Sequence, residues 1–140
     1  MPVTFQIFPS RGVVLARFSG HILLEDCLSS AKAYAEHPDA NPMQNQLIDL
    51  SGITSYEADF VKMMSTMAQL PDHLLRPGAE PMIVYISPTQ LSQEITTTVL
   101  RSMSGITGVI VRVAEDEAQA LEILGLAERA VSALPAGPGT

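Results

Sequence analysis

The stretch from Gln46 to Met67, QLIDLSGITSYEADFVKMMSTM, leaves this chain few folds to choose from. Leu47, Ile48 and Leu50 make a short apolar run of the kind that forms a buried strand, and Ser51-Gly52 breaks it. Thr54 or Ser55 can cap a helix, and Thr54-x-x-Glu57 fits the capping box, in which each side chain satisfies the other residue's orphan amide. Phe60, Met63, Met64 and Met67 then recur at i, i+3, i+4 and i+7, one face of a helix. A strand feeding a helix through a polar turn is the unit from which α/β proteins are built, and the turn is where they place their chemistry.

The rest of the chain repeats that unit. Val3, Phe5 and Ile7 alternate with Thr4 and Gln6, which predicts a half-buried strand. Pro9-Ser10-Arg11-Gly12 reads as a turn, because proline presets φ and glycine accepts a positive one. Val13 to Phe18 returns as a second strand, ended by Ser19-Gly20. Leu24 to Tyr34 is predicted helical, with Leu24, Leu28, Ala31 and Ala35 on one face and His37-Pro38 as its stop. Met82 to Ile86 is a continuous apolar strand. Ser87-Pro88-Thr89-Gln90 reads as a helix start with Ser87 as cap, and Leu91, Ile95 and Val99 as the buried face. Val109 to Val113 is the last strand, and Asp116 caps a last helix that carries Ala120, Leu121 and Leu124 inward. The order ββαβαβαβα predicts one α/β domain: a mixed, mostly parallel sheet of about five strands with its helices on one face. The domain is read as residues 1–126, with 127–140 as a helical extension and a disordered tail.

At Ile48-Asp49-Leu50-Ser51-Gly52-Ile53 the sequence resembles the strand and turn of STAS domains, the sulfate transporter and anti-sigma factor antagonist family. The ending, from Val111-Arg112-Val113 through Asp116-Glu117-Ala118 to Leu124-Gly125-Leu126, is similar to the terminal strand and helix of its sporulation-antagonist-like branch. The resemblance spans most of Val3 to Leu126 and implies a regulatory, protein-binding domain; the weakness of every catalytic signal adds the expectation of no catalysis and no cofactor. It also implies a serine near the start of the second helix that a partner kinase phosphorylates. Aligning the strand puts Glu57-Ala58-Asp59-Phe60 on the family's Asp-Ser-Ser-Gly, so Ala58 occupies the acceptor position. Alanine has no hydroxyl, and a phosphorylation switch there is chemically impossible. Ser51, Thr54, Ser55, Glu57, Ala58 and Asp59 are the candidate interaction turn, with turn and capping duty as the plainer explanation of the hydroxyls.

Composition narrows the function further. A net charge of -7 with 8 Lys and Arg in 140 residues argues against nucleic acid and against an anionic membrane surface. The longest apolar runs are too short for a membrane span, and no signal peptide is read in MPVTFQIF. Cys27 is the single cysteine, which excludes an intramolecular disulfide and fits a cytoplasmic setting. His21, His37 and His73 fall on predicted loops with no spacing to a second metal ligand. Glu57 and Asp59, two apart on a helix, point apart and make a poor acid/base pair.

Two binding expectations remain. Phe60, Met63, Met67, Ile95 and Val99 are candidates for an apolar ligand pocket between sheet and helix, since methionine adapts to irregular surfaces and the STAS fold is related to the lipid-binding CRAL-TRIO fold. The alternative function is therefore a carrier or sensor of a small apolar ligand. If the helices cover one face of the sheet, Ile83, Tyr85, Ile110 and Arg112 mark an open face that a second copy would cover as a homodimer. The other cover is the chain's own segment from Ala127 to Leu134.

Overall fold

The computed structural model describes residues 2–74, 81–102 and 109–135, without the side chains of Phe60, Met67, residues 70–74 and residue 102. Within them the chain is α/β, with the strands β1 (Val3–Phe8), β2 (Val13–Ile22), β3 (Asn45–Tyr56), β4 (Met82–Ile86) and β5 (Ile110–Ala114). The helices are α1 (Leu24–Ala35), α2 (Phe60–Leu74), α3 (Gln90–Ser102) and α4 (Glu117–Ile123). The five strands form one sheet in sequence order, β1-β2-β3-β4-β5. β1 and β2 pair antiparallel, and every later pair is parallel. The hairpin turn forms as the sequence predicts, with Gly12 at φ 62° closing it.

Strand order decides where the helices go. Each crossover from β2 to β3, β3 to β4 and β4 to β5 steps in the same direction. Right-handed connections that never reverse direction put all their helices on one face. Val14 accordingly packs with Tyr34 of α1, and Ile83 and Tyr85 pack with Cys27 of α1 and with Leu91, Ile95 and Val99 of α3. The next residues along the strands, Leu15, Leu47, Val84 and Ile86, point the other way.

That second face is not bare, which corrects the expectation that every helix lies on one side. α4 follows the last strand, so no crossover rule binds it, and it turns to the opposite face. Ala120 and Leu121 pack there with Leu47, Val84 and Ile86. Asp116 caps α4 as predicted, accepting from the Gln119 amide at 2.8 Å. Gly125, at φ 79°, ends it: its amide donates to Glu122 O at 2.9 Å, and the Leu126 amide donates to Leu121 O at 2.9 Å. These are the two hydrogen bonds of the Schellman motif, and Leu126 closes it by packing on the same core as Leu121. The helical extension expected beyond residue 126 shrinks to one 3-10 turn, Val131–Ala133. Val131 and Leu134 are buried in that core, so the segment belongs to the domain. Glu117 accepts from the Val131 amide at 2.9 Å, and Arg11 grips Glu128 through two bonds of 3.1 and 2.9 Å. The expected tail, residues 136–140, lies outside the described residues.

The predicted dimer face is thereby corrected. Register pairs Met82 with Ile110 and Val84 with Arg112, so Ile110 and Arg112 share the α4 face, while Ile83 and Tyr85 lie under α3. The four residues never form one surface. Tyr85 is 9% exposed, and the opposite face is covered by α4 and the C-terminal segment. Over β1 to β4 no bare apolar sheet face, the reason to expect a second copy, exists among the described residues; the edge strand β5 leaves Ile110 and Val113 exposed, at 38% and 45%.

Candidate functional site

The turn that the sequence singles out is built differently from its prediction. β3 does not break at Ser51-Gly52; it continues to Tyr56 beside a β2 that continues to Ile22. The register slips twice, between Arg17 and Ser19 and between Gly20 and His21. Two glycines make the slips tolerable. Gly20 sits at φ 71°, and a Cβ on Gly52 would lie 3.1 Å from Phe18 O and 3.3 Å from Ser19 Cβ. The Ser-Gly pair is thus a bulge rather than a strand end, and it lets Leu50 and Ile53 both face inward three residues apart.

The extra length of strand carries the turn past the edge of β4, which pairs only with Gln46 to Asp49. Ser51 is exposed near that point, with its hydroxyl 2.6 Å from Asp49 Oδ1 and its amide donating to the same oxygen at 3.0 Å. Arg17 meets the other Asp49 oxygen at 3.4 Å. Thr54 is exposed on the strand and does not cap α2. Ser55 is exposed as well, with its hydroxyl 2.7 Å from His21 Nδ1 on the neighbouring strand.

Asp59 caps α2 instead of Thr54 or Ser55, accepting from the Lys62 amide at 3.0 Å. Glu57 takes on a role that no local motif predicts. Its Oε1 accepts from the Leu24 amide at 3.0 Å, at the first residue of α1. Leu23 provides α1 with no side-chain cap, so a carboxylate from 33 residues further along the chain fills that place. Its Oε2 meets Lys62 Nζ at 2.9 Å. One carboxylate thus ties the start of α1 to the first turn of α2. The hydrogen bond from Leu24 and then that from Lys62 hold the Glu57 pKa below the usual carboxylate range. Ala58 is exposed between Glu57 and Asp59, with no group that can accept phosphate.

The Glu57 contacts set a pH dependence with a definite sign. A carboxyl group whose folded pKa is depressed stabilises the fold above its unfolded pKa, about 4.3 for glutamate, and that stabilisation is lost as pH falls through the lower folded value. Glu57→Gln should lower the melting temperature by several degrees at neutral pH. The gap to wild type should close as pH falls below about 4. A gap of constant size down to acid pH would mean that the carboxylate charge is not what holds α1.

Among the described side chains of α2, the inward face keeps Met63 of the predicted stripe, loses Met64 and gains Thr66. Thr66 is buried and Met63 is half-buried, so the inward line runs through them. Met64, read as inward, is 41% exposed, and Val61 is 78% exposed. With Ala68 they form an outward strip at i, i+3 and i+7. Of the predicted pocket, Ile95 and Val99 are half-buried and already pack on the cluster of Ile83 and Tyr85. Phe60 and Met67 fall among the side chains outside the described residues.

Other groups with chemical potential are held elsewhere. The predicted cap Ser87 is buried and hydrogen-bonds Thr96, and its amide donates to Ala114 O at 2.9 Å. The cap of α3 is Thr89, whose hydroxyl accepts from the Ser92 amide at 3.1 Å while Ser92 Oγ accepts from the Thr89 amide at 2.9 Å. This is a reciprocal box shifted two residues along, and the signal Thr-x-x-Ser was there to find. Burial pushes the Cys27 thiol up to about 11, with Asp26 adding to the shift, so the thiolate nucleophile is scarce at neutral pH. His37 accepts from the Asp39 amide at 3.0 Å, and His73 lies where side chains are not described. Among the described residues no three His, Cys, Asp or Glu side chains group as metal ligands, and no helix is long and apolar enough to cross a membrane. No family model matches this chain, and no curated protein matches it.

Proposed function

We propose that this protein is a non-enzymatic interaction module of STAS-like type, which binds a partner protein through the β3–α2 turn and the outward face of α2. The observation that carries the reading is the exposure of Val61 and Met64, at 78% and 41%, on the helix that leaves this turn. Apolar side chains of that size on a capped helix cost solvation unless something covers them. The polar groups around them point the same way. Glu57 and Asp59 each hold a helix start through a backbone amide, and Ser51 and Ser55 are paired with Asp49 and His21. The sheet adds its own support. Its strand order never reverses, so it has no switch point at which helices on opposite faces part to leave a crevice for a small substrate. Ala58 makes this a module without the phosphorylation switch of the family it resembles.

A photo-cross-linking amino acid at position 64 of the full chain tests this in cells that express it. Adducts with another protein are expected at position 64, not at the exposed position Ala127, and Val61→Asp should suppress them. Equal adducts at both positions, or none at 64, would remove the α2 face as the binding surface.

A further inference from the structure

We propose that the partner segment that docks on α2 is cationic and amphipathic, with apolar side chains on Val61 and Met64 and lysine or arginine heads on the carboxylates beside them. This rests on the reading of α2 as the docking surface and adds the chemistry of what docks there. Val61, Met64 and Ala68 form the outward strip. At its N-terminal end stand Glu25, Glu57 and Asp59, all close enough to act on Lys62. Three carboxylates face one ammonium there, and Glu57 already holds that ammonium at 2.9 Å. The strip therefore ends in an excess of negative charge. Leu23, 36% exposed, precedes the Leu24 amide that Glu57 holds.

That charge selects the occupant. A second copy of the chain brings the same excess of carboxylates to the face instead of the cations that would answer them. The net charge of -7 adds to that repulsion, and nucleic acid is rejected for the same reason. A neutral apolar ligand would cover Val61 and Met64 but leave the carboxylates unanswered. A helical segment with leucine-like side chains on one side and basic residues along its flank meets both demands. The surface is ordered before binding, because Asp59 caps α2 and Glu57 ties it to α1, so little is lost in ordering it.

Two synthetic amphipathic peptides of equal length test the inference, one made of leucine and lysine and one of leucine and glutamate. Each is titrated into the isotope-labelled full chain, and amide shifts are followed by NMR. The leucine–lysine peptide should shift amides from Ala58 to Ala68, with affinity falling about tenfold between roughly 0.01 and 0.15 M salt as screening shortens. Glu25→Gln should weaken it several-fold, and so should Val61→Ser. Shifts scattered over the whole acidic surface, unaffected by Val61→Ser, would overturn the proposal by showing charge attraction without a site. Equal binding of the leucine–glutamate peptide at the same amides would overturn the cationic partner yet leave α2 as the docking surface. Silence from both peptides would also overturn it, and the cross-link at position 64 then decides whether the surface itself binds protein.

Discussion

Tyr85→Glu should destabilise the folded chain severely and leave no intact protein whose assembly could change. Tyr85 lies on β4 beneath α3, 9% exposed, among Ile83, Leu50, Ile95 and Val99. Burial raises the pKa of its phenol, which shows how poorly that site would hold a charge. The Cys27 thiol is the titratable group that acts on it, and that thiol is itself kept protonated by burial. A glutamate there must either ionise without a cation or stay protonated without its own hydrogen-bond partners. Either course costs more than about 4 kcal/mol. Urea unfolding should show a collapsed midpoint or no cooperative transition, whereas Tyr85→Phe should keep most of the stability. A Tyr85→Glu protein that melts like wild type and differs only in mass would place Tyr85 at an interface and refute the core described here.

Leu121→Ala should cost about 2 to 5 kcal/mol, roughly 10 °C in melting temperature for a chain of this size. Leu121 is fully buried, and it is the contact through which α4 seals the second face of the sheet against Leu47, Val84 and Ile86. It also anchors the end of its helix, since the Leu126 amide donates to its carbonyl and Leu126 packs on the same core. Truncation leaves a cavity that the strands cannot close, because β4 is an interior strand paired on both sides. Glu122→Ala, exposed on the same helix, is the control and should stay within about 0.5 kcal/mol. If both variants melt alike, α4 does not cover the sheet, and the apolar face is open for a second copy after all.

Both substitutions probe what the sequence left undecided. Local patterns determined which segments become strands and helices, because alternation, helical period and turn chemistry act over a few residues. Gly12 closes the first hairpin, Asp116 caps α4, and Gly125 ends it, all by interactions within four or five residues. The α/β class and the mixed sheet follow from the order of those elements.

The candidate turn was legible only as a place. Ser51-Gly52 carries the same signal whether the strand ends or bulges. The difference lies in β2, whose backbone comes so near Gly52 that a Cβ there would crowd Phe18 O at 3.1 Å. Thr54-x-x-Glu57 satisfied the capping pattern, yet the strand pairing kept Thr54 in β3 and passed the cap to Asp59. The role of Glu57 depended on an amide 33 residues earlier in the chain, beyond any local motif.

The sequence by itself thus determined the elements, the reach of the apolar core and the absence of a hydroxyl at Ala58. Only the tertiary structure decided which side of each element faces inward. Ile83 and Val84 are equally apolar, and nothing in their order tells which meets α3 and which meets α4. A helix that follows the last strand has no crossover to fix its side, so α4 goes where uncovered apolar area remains. The same logic turned Met64 outward: Thr66 and Met63 took the inward line of α2, and helical geometry put Val61 and Met64 on the outward side.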